Sequence, residues 1–238
     1  MVLEPASTAV NKHGIHVFSD FDGTITLADT GVILIDHCVG RERRRQMDLD
    51  VLNGKTSFRE LCVQLWGGVN LDWDQAIQML EDVQVDPHFG KCLERCRAHD
   101  IPFTVLSCGL RALIEWYLKR EIGSDFHGIE VLANEADYNP AGWTCTFHDA
   151  SPHGHDKAVS IRRAREAAKA NSQPFLAIFL GDGISDLSAA MEADILFARR
   201  GRDLETYCTR EGIDHIAFDT FDTAIAEIEK LQQQQQQQ

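Results

Sequence analysis

The stretch DFDGT at residues 20–24 decides the fold class of this chain and points to its chemistry. It follows the apolar run IHVF at residues 15–18, so it lies where a buried β-strand would end. Residues two apart on an extended strand point the same way, so Asp20 and Asp22 would project together. Gly23 permits a sharp exit from the strand. Open α/β folds place their sites at such strand ends, so we predict a catalytic pair of carboxylates here.

An Asp-x-Asp after an apolar run is, taken alone, more typical of a solvated turn than of a catalytic site. Three further segments change that interpretation, because each follows or adjoins an apolar run and they occur in a fixed order. They are Ser107 within TVLSCG at residues 104–109, Lys157 within HDK at residues 155–157, and GDGISD at residues 181–186. Together the four segments indicate an active site rather than four unrelated turns.

These four segments resemble the motifs of the haloacid dehalogenase superfamily, specifically its phosphatase branch, over nearly the whole chain. The resemblance implies that Asp20 is a nucleophile that becomes an aspartyl-phosphate. It implies that Asp22 protonates the leaving alcohol and later deprotonates the attacking water. It also implies that Ser107 and Lys157 hold the phosphoryl oxygens. Such covalent catalysis divides a very slow displacement into two easier steps.

The same resemblance implies a Mg²⁺ cofactor. Its expected ligands are Asp20, the backbone carbonyl of Asp22, Asp182 and Asp186, with Asp186 acting directly or through water. Oxygen ligands of this kind suit Mg²⁺, which is a hard ion. An anionic carboxylate that attacks an anionic phosphate also needs a metal and a fixed cation to neutralise charge.

Substrate contacts are implied by the same comparison of motifs. The expected substrate-binding residues are Phe21, Asp22, Asp29, Arg59, Cys108 and Gly109. Asp29 lies near the place of an acidic substrate-binding residue in the family, but capping of a helix is an equally supported role. Ser107 has a comparable alternative, as a cap for a helix predicted at residues 110–119.

Strands that alternate with helices predict an α/β fold with a doubly wound parallel sheet, the Rossmannoid core of this superfamily. Helices are predicted at residues 110–119, 156–170, 185–192 and 203–211, and an NPAG turn at residues 139–142 suggests a hairpin. The predicted strands cover residues 15–20, 103–107, 128–133, 144–148, 176–180, 195–198 and 216–218.

About 80 residues separate Asp22 from Ser107, which is more than one crossover helix needs. Residues 30–85 have helical spacing, with a helix start at Thr56 and Ser57, and Leu61, Leu65 and Trp66 would share one apolar face. This segment resembles the small helical cap of phosphoserine-phosphatase-like members, which closes over a small substrate and excludes water. The predicted domains are a core at residues 1–29 and 86–231, a cap at residues 30–85, and a polyglutamine tail at residues 232–238.

Several flanking runs narrow the resemblance to fungal phosphatases of small polyol and sugar-acid phosphates; these runs lie at residues 151–157, 186–190, 196–204 and 207–208. The alternatives are a methionine-salvage enol-phosphate phosphatase and a phosphoserine phosphatase, although the latter carries Ser where this chain has Gly23. A phosphotransferase that uses an acceptor alcohol stays open. A non-catalytic binding or regulatory protein is the alternative from another class, and it is disfavoured because no catalytic position is missing.

Composition limits the partners. A formal charge of −14 argues against nucleic acid, which requires cations to neutralise its phosphates. The one basic cluster, residues 41–45, is interpreted as a solvated helix face, with substrate attraction at the site mouth as the alternative. We therefore expect a small phosphorylated metabolite as partner, with no membrane contact and with monomer and dimer both open.

The remaining predictions come from the cysteines, the histidines and the two ends of the chain. Seven scattered cysteines argue against a disulfide framework, and residues 1–12 lack the apolar core of a signal peptide. A cytoplasmic location follows as an expectation, with the nucleus left open. His148, His153 and His155 cluster in one loop, but a metal site there is the less favoured interpretation. The tail of glutamines is expected to be disordered or to extend the last helix.

Overall fold

A computed structural model of the protein describes residues 14–236. Within them lies a seven-stranded sheet whose strands follow one another in the order β4-β3-β2-β1-β5-β6-β7. The strands are β1 Gly14–Ser19, β2 Phe103–Leu110, β3 Glu130–Asp137, β4 Thr144–Thr146, β5 Phe175–Gly181, β6 Ile195–Arg199 and β7 Ile216–Phe218.

Every pairing in this sheet is parallel except that of β4, which runs antiparallel to β3. The chain builds outward from β1 through β2 to β3 and then crosses to the other side of β1 to form β5, β6 and β7. The predicted doubly wound α/β fold is therefore confirmed. The order of strands reverses at β1, and ligands in open α/β sheets bind at such a switch point.

The helices follow the pattern of a parallel sheet covered on both faces. Ile15 and Val17 belong to one buried cluster and Phe18 to the other, because successive side chains of β1 point to opposite faces. The helices are α1 Thr30–Ile35, α2 Arg41–Leu52, α3 Phe58–Gly67, α4 Trp73–Leu80, α5 Phe89–Ala98, α6 Arg111–Ile122, α7 Lys157–Ala170, α8 Leu187–Ala190, α9 Asp203–Glu211 and α10 Asp222–Gln236, with a π-helical turn at Asp36–Gly40.

Residues 30–85, here called the helical insertion, carry α1 to α4 between β1 and β2. The predicted start of α3 is confirmed, because Ser57 and Glu60 form a capping box in which Glu60 N donates to Ser57 Oγ at 3.1 Å. Leu61, Leu65 and Trp66 are buried on one face of α3, as their spacing predicts.

The hairpin of β3 and β4 holds the insertion against the core. Trp143, which follows the predicted turn, donates from its backbone N to Trp66 O at 3.1 Å and from Nε1 to Leu71 O at 2.7 Å. The Trp66 and Trp143 rings stack with centroids 5.7 Å apart. Gly142 has φ +139°, and a Cβ there would lie 2.6 Å from Gly67 O, so only glycine allows this close approach.

Some predicted element bounds are wrong. The strand predicted at residues 128–133 starts later and runs longer, because Gly123–Gly128 forms a 3₁₀ turn after α6. The strand predicted at residues 144–148 stops at Thr146, where pairing with β3 ends. The helix predicted at residues 185–192 is a 3₁₀ turn, Ile184–Asp186, followed by the short α8, because Asp186 must turn its carboxylate back onto its own loop.

The structure tests the prediction for the glutamine tail but not the prediction for the N-terminal residues. α10 continues to Gln236, so the glutamine tract extends the last helix over the described part of the tail. The predicted absence of a signal core concerns residues 1–12, which lie outside the described residues. Among residues 14–236, none of the helices has both the length and the apolar character that a membrane crossing requires.

Candidate active site

The predicted catalytic residues meet at one edge of the sheet. Asp20 follows β1, Ser107 lies near the end of β2, and Asp182 follows β5. Because β1 pairs in parallel with both β2 and β5, the carboxyl ends of all three strands lie side by side. The register places the three side chains at the switch point, as DFDGT predicts.

Lys157 is the fixed cation of the site. It is the first residue of α7, whose cap Asp156 accepts a hydrogen bond from Ala158 N at 3.1 Å. The Lys157 side chain is fully buried, and its Nζ donates to Asp20 Oδ1 at 2.5 Å and to Asp186 Oδ1 at 2.6 Å. Burial alone would lower the pKa of Lys157, but Asp186 and Asp20 outweigh it and hold the pKa above its ordinary value. The lysine therefore carries a permanent charge beside Asp20.

Three carboxylates converge next to this lysine. Asp20, Asp182 and Asp186 each offer one oxygen, and these oxygens lie within 4.8 Å of one another. Burial, followed by the charge of Asp186, raises the pKa of Asp20 to about 7. Burial, followed by the charge of Asp20, raises the pKa of Asp182 to about 8. Burial and mutual repulsion therefore disfavour full ionisation of the cluster even with Lys157 beside it.

Mg²⁺ fits this donor set. The cluster offers carboxylate oxygens, which this ion prefers, and a divalent cation would offset the burial and the mutual repulsion that raise the two pKa values. The three acids differ in how many contacts they already make. Asp186 Oδ1 accepts from Lys157, and its Oδ2 accepts from Asp182 N at 2.9 Å and from Gly183 N at 3.0 Å. Asp182 instead lines the site cavity, so it is the more accessible ligand.

Asp22 connects the core to the helical insertion. Its Oδ1 accepts from Thr30 N at 2.8 Å and from Thr30 Oγ1 at 2.6 Å, at the first residue of α1. Burial, followed by the charge of Asp29, raises the pKa of Asp22 to about 8. A carboxyl group with such a pKa can hold a proton near neutral pH, as a general acid requires.

Two glycines make room for these carboxylates. Gly23 has φ +81°, and a Cβ at this position would lie 2.1 Å from Asp182 Oδ2. A Cβ on Gly109 would lie 2.8 Å from Asp22 Oδ2 and 3.1 Å from Ser107 Oγ. The backbone conformation of Gly23 favours glycine, and a side chain at either position would displace a carboxylate of the site.

Ser107 is held by backbone contacts rather than used as a helix cap. Its Oγ accepts from Gly109 N at 2.9 Å, while α6 begins at Arg111 without a side-chain cap. The alternative capping role is therefore wrong, because β2 continues past Ser107 to Leu110. Ser107 lines the cavity together with Cys108 and Gly109, which places all three at the predicted site.

His155 forms a buried contact with the backbone of Ser107. Its Nδ1 lies 2.9 Å from Ser107 O, and its Nε2 lies 2.9 Å from Ser160 Oγ. A carbonyl oxygen only accepts, so Nδ1 carries the proton and Nε2 accepts from the serine hydroxyl. Burial lowers the pKa of His155 to about 4, which agrees with a neutral ring. Both ring nitrogens are occupied, so His155 is not free to bind a metal in the alternative histidine cluster.

The carboxylates open into a cavity of about 390 Å³ between the core and the insertion. Asp29 lines it and also caps α1, because Asp29 Oδ1 accepts from Val32 N at 2.7 Å. The capping role of Asp29 is thus confirmed, and its place in the cavity keeps a substrate contact available.

Two predicted substrate contacts do not reach the cavity with their side chains. The Phe21 side chain is buried against Tyr117, with ring centroids 5.8 Å apart, so only its backbone is left for a substrate. Arg59 is not among the cavity's lining residues. Its Nη1 donates to Asp149 O at 2.6 Å and its guanidinium lies over the Phe147 ring, so it joins α3 to the core.

The sequence does not indicate the place of Asp48 or the contact that His155 makes. Arg44 and Asp48 both line the cavity, so Arg44 agrees with the alternative interpretation of residues 41–45, at the site mouth, rather than with a solvated face. Their spacing of four on α2 signals an ion pair, but it does not say which side of the helix meets the cavity. His155 belongs to the histidine cluster of this loop, and nothing in the sequence indicates its contact with Ser107.

Comparisons with known proteins agree with this geometry. The model of the haloacid dehalogenase-like hydrolase family matches residues 17–191. The chain is 40% identical to Pdp3-interacting factor 1 of Schizosaccharomyces pombe, covering 92% of this chain and 97% of that protein. It is 35% identical to polyol phosphate phosphatase PYP1 of Saccharomyces cerevisiae, covering 90% and 92% respectively.

The fold has a parallel among solved structures. A phosphoserine phosphatase structure with an analogue of its phospho-aspartyl intermediate superposes with a TM-score of 0.65 at 15% identity, covering 91% of this chain and 99% of the other. At that identity the likeness shows the fold alone. The family model spans residues 17–191, which contain all four motifs, and both relatives match at least 90% of this chain. The chain therefore belongs to the haloacid dehalogenase-like hydrolase family, within its phosphatase branch.

Proposed function

We propose that the protein is a Mg²⁺-dependent phosphatase that hydrolyses small phosphomonoesters through a phosphorylated Asp20. The observation that carries this proposal is the placement of Asp20, which is buried and fixed by Lys157 at the floor of a cavity that Asp22 shares. A nucleophile, a fixed cation and a protonatable carboxyl group thus lie at one strand end, which is the set that phosphoryl transfer requires.

The reaction divides into two displacements. In the first, an Asp20 carboxylate oxygen forms a bond to phosphorus as the ester P–O bond breaks, and the departing alkoxide oxygen receives its proton from Asp22. In the second, Asp22 takes a proton from water as the water oxygen attacks phosphorus and the bond to Asp20 breaks. The raised pKa of Asp22 supports both roles, because the group can hold and release a proton near neutral pH.

The phosphoryl oxygens would be held by the Ser107 hydroxyl and by Lys157, which keeps its charge throughout. Mg²⁺, held by Asp20, Asp182 and the Asp22 carbonyl with Asp186 directly or through water, would neutralise phosphate charge. His155 fixes the Ser107 backbone from the buried side. These contacts bind the charge that develops at phosphorus without requiring reorganisation during the reaction.

The proposed substrate class is a small polyol or sugar-acid phosphate. A relative that shares 35% identity over 90% of the chain bears the name polyol phosphate phosphatase. The cavity of about 390 Å³ has room for a small molecule and not for a folded phosphoprotein. We propose that residues 30–85 act as the cap domain, with residues 14–29 and 86–231 as the described catalytic core.

Phosphate release from a panel of substrates tests this function. The panel holds polyol phosphates, sugar-acid phosphates, phosphoserine, a methionine-salvage enol phosphate and a nucleoside monophosphate. We expect turnover with Mg²⁺, loss of turnover in EDTA, and no turnover by Asp20→Asn, which keeps the shape of the side chain. Preference for phosphoserine or for the methionine-salvage compound would show that the substrate is not a polyol or sugar-acid phosphate. Turnover that survives EDTA or Asp20→Asn would contradict the mechanism.

A further inference from the structure

One side of the cavity is formed by charged residues that the proposed chemistry does not use. Asp29, Arg44 and Asp48 line the cavity from α2 and from the start of α1, and we call these three residues the polar wall. None of them is needed to attack phosphorus. Because they lie on the side of the insertion, they are placed to contact the alcohol part of a substrate.

Arg44 is held by two carboxylates. Its Nε donates to Asp36 Oδ1 at 2.5 Å, its Nη2 to Asp36 Oδ2 at 3.3 Å, and its Nη1 to Asp48 Oδ2 at 2.8 Å. The Arg44 and Asp36 side chains are partly buried, so solvent screens this pair less than it screens a fully exposed pair. The hydrogen bonds from Arg44 hold the pKa of Asp36 below its usual range, so Asp36 stays ionised. Arg44 therefore brings no uncompensated positive charge to the wall.

The polar wall still offers both donors and acceptors. A guanidinium has five N–H groups, and Arg44 uses three of them on Asp36 and Asp48. Asp48 accepts through Oδ2 and Asp29 through Oδ1, so each carboxylate keeps its other oxygen. A hydroxyl group both donates and accepts. A row of hydroxyls on a small carbon chain can therefore satisfy this wall, whereas a carboxylate can only accept.

A second arginine in the cavity does not change this balance. Arg202 lines the cavity from the core side, and its side chain is exposed. Its Nη2 lies 3.4 Å from Leu27 O. Solvent screens an exposed charge of this kind, so it attracts anions to the mouth in general rather than selecting the alcohol.

We propose that the polar wall selects a leaving alcohol with several uncharged hydroxyl groups over the corresponding acid. This inference rests on the proposed phosphatase function and narrows its substrate class to polyol phosphates. Arg44 is the specificity residue that donates to the hydroxyls. Asp36 already balances the charge of Arg44, so Asp48 adds a further negative charge to the wall, and that charge disfavours a carboxylate on the substrate.

Matched pairs of compounds test the proposal. Glycerol 3-phosphate and 3-phosphoglycerate differ only in one terminal group, as do erythritol 4-phosphate and 4-phosphoerythronate. We expect the wild-type kcat/KM to favour the alcohol of each pair. Asp48→Asn removes one charge and should lower the alcohol-to-acid ratio about tenfold, the size of one partly screened charge interaction. Arg44→Gln should shift the ratio the other way while lowering kcat/KM for both compounds.

Asp50→Asn is the matched control. Asp50 lies on the same helix and also forms an ion pair, with Lys55 Nζ at 2.7 Å, but it is not among the cavity's lining residues. Asp50→Asn should leave the alcohol-to-acid ratio of kcat/KM at the wild-type value. A ratio that Asp48→Asn leaves unchanged, or that Asp50→Asn lowers equally, would overturn the assignment of the wall.

Dissociation constants in the Asp20→Asn background separate this proposal from the proposed function, because binding is then measured without turnover. The polar wall predicts tighter binding of each alcohol phosphate than of its acid, and a smaller difference when Asp48→Asn is added. Equal affinities, or no binding of either compound, would overturn the selection. An inactive wild-type protein that still shows the binding preference would contradict the hydrolytic function alone.

Discussion

At the residue scale, charge and space are arranged around Asp20. Lys157 and Asp186 contact each other in full burial, so Lys157 cannot rotate away from Asp20 without breaking two charged hydrogen bonds. Gly23 lies against Asp182, and Gly109 lies against Asp22. The proposed specificity residues Arg44 and Asp48 pair nearby. They line the same cavity as the proposed catalytic carboxylates Asp20 and Asp22.

The buried ring of His155 makes stability depend on pH. Its folded pKa of about 4 lies below the ordinary value of 6.5, so the unfolded chain binds a proton first as the pH falls. The contribution of His155 is present above pH 6.5 and is lost between about pH 6.5 and pH 4. His155→Asn should therefore reduce the loss of unfolding free energy between pH 7 and pH 5 by about 2 kcal/mol.

Urea denaturation at the two pH values measures this difference. His153→Asn is the control, because His153 lies in the same loop with an exposed side chain and should leave the pH dependence as it is. If the loss of unfolding free energy between pH 7 and pH 5 is unchanged in His155→Asn, the ring is not buried as a neutral group. His16, whose pKa burial also lowers to about 4, should continue to contribute in both variants.

At the element scale, a buried ion pair fixes the two connections between the core and the insertion. Arg199, at the end of β6, donates from Nη2 to Asp86 Oδ2 at 2.9 Å and to Thr24 O at 2.6 Å. Thr26 and Val85 form an isolated antiparallel bridge between the same two connections. Asp86 Oδ1 also accepts from Phe221 N at 3.2 Å. One arginine therefore holds both connections at the edge of the sheet.

Asp86→Asn should lower the free energy of unfolding by about 3–5 kcal/mol, because it leaves Arg199 as a buried charge without its partner. Chemical denaturation of the purified variant measures the effect. Asp219→Asn is the control, since the Asp219 carboxylate pairs with the exposed Arg200 and should cost less than about 1 kcal/mol. Equal and small losses in both variants would show that the pair contributes little.

The elements differ in how far their sequence predicts them. α9 and β7 have the predicted bounds, because Gly212 in the left-handed conformation ends the helix and polar residues flank the short apolar strand. The catalytic residues were also predictable, since each follows or adjoins an apolar run in a fixed order. The contacts of Arg199 with Asp86 and of His155 with Ser107 were not, because their partners are 113 and 48 residues away in the chain.

The place of Arg44 illustrates the same limit. A run of arginines on a helix predicts a solvated face, and Arg41 is exposed as such a face requires. The side of α2 that meets the cavity depends on how the insertion packs on the core, which is decided by Trp143 and the hairpin. Tertiary packing, which no local pattern encodes, therefore places one arginine of this run at the cavity.

At the scale of the whole molecule, an acidic protein handles an anionic substrate. The formal charge is −14, yet the substrate must reach a cavity that contains Asp20, Asp22 and Asp182. Lys157 supplies one positive charge, and the proposed Mg²⁺ would supply two more at the same place. The ends of β1 and β5 and the start of α7 bring these groups together, and residues of the insertion line the other side of the cavity. The positive charges at the site, rather than the net charge of the chain, thus allow an anionic substrate to bind.

Trapping of phosphate on Asp20 tests the central claim most directly. The protein is mixed with a radiolabelled phosphomonoester and Mg²⁺, quenched in acid, and examined for label on the denatured chain. We predict label on the Asp20 peptide of the wild-type protein and none on Asp20→Asn. Asp22→Asn should accumulate label from an aryl phosphate, whose leaving group needs no proton. Turnover without any label on Asp20 in either the wild type or Asp22→Asn would contradict the account.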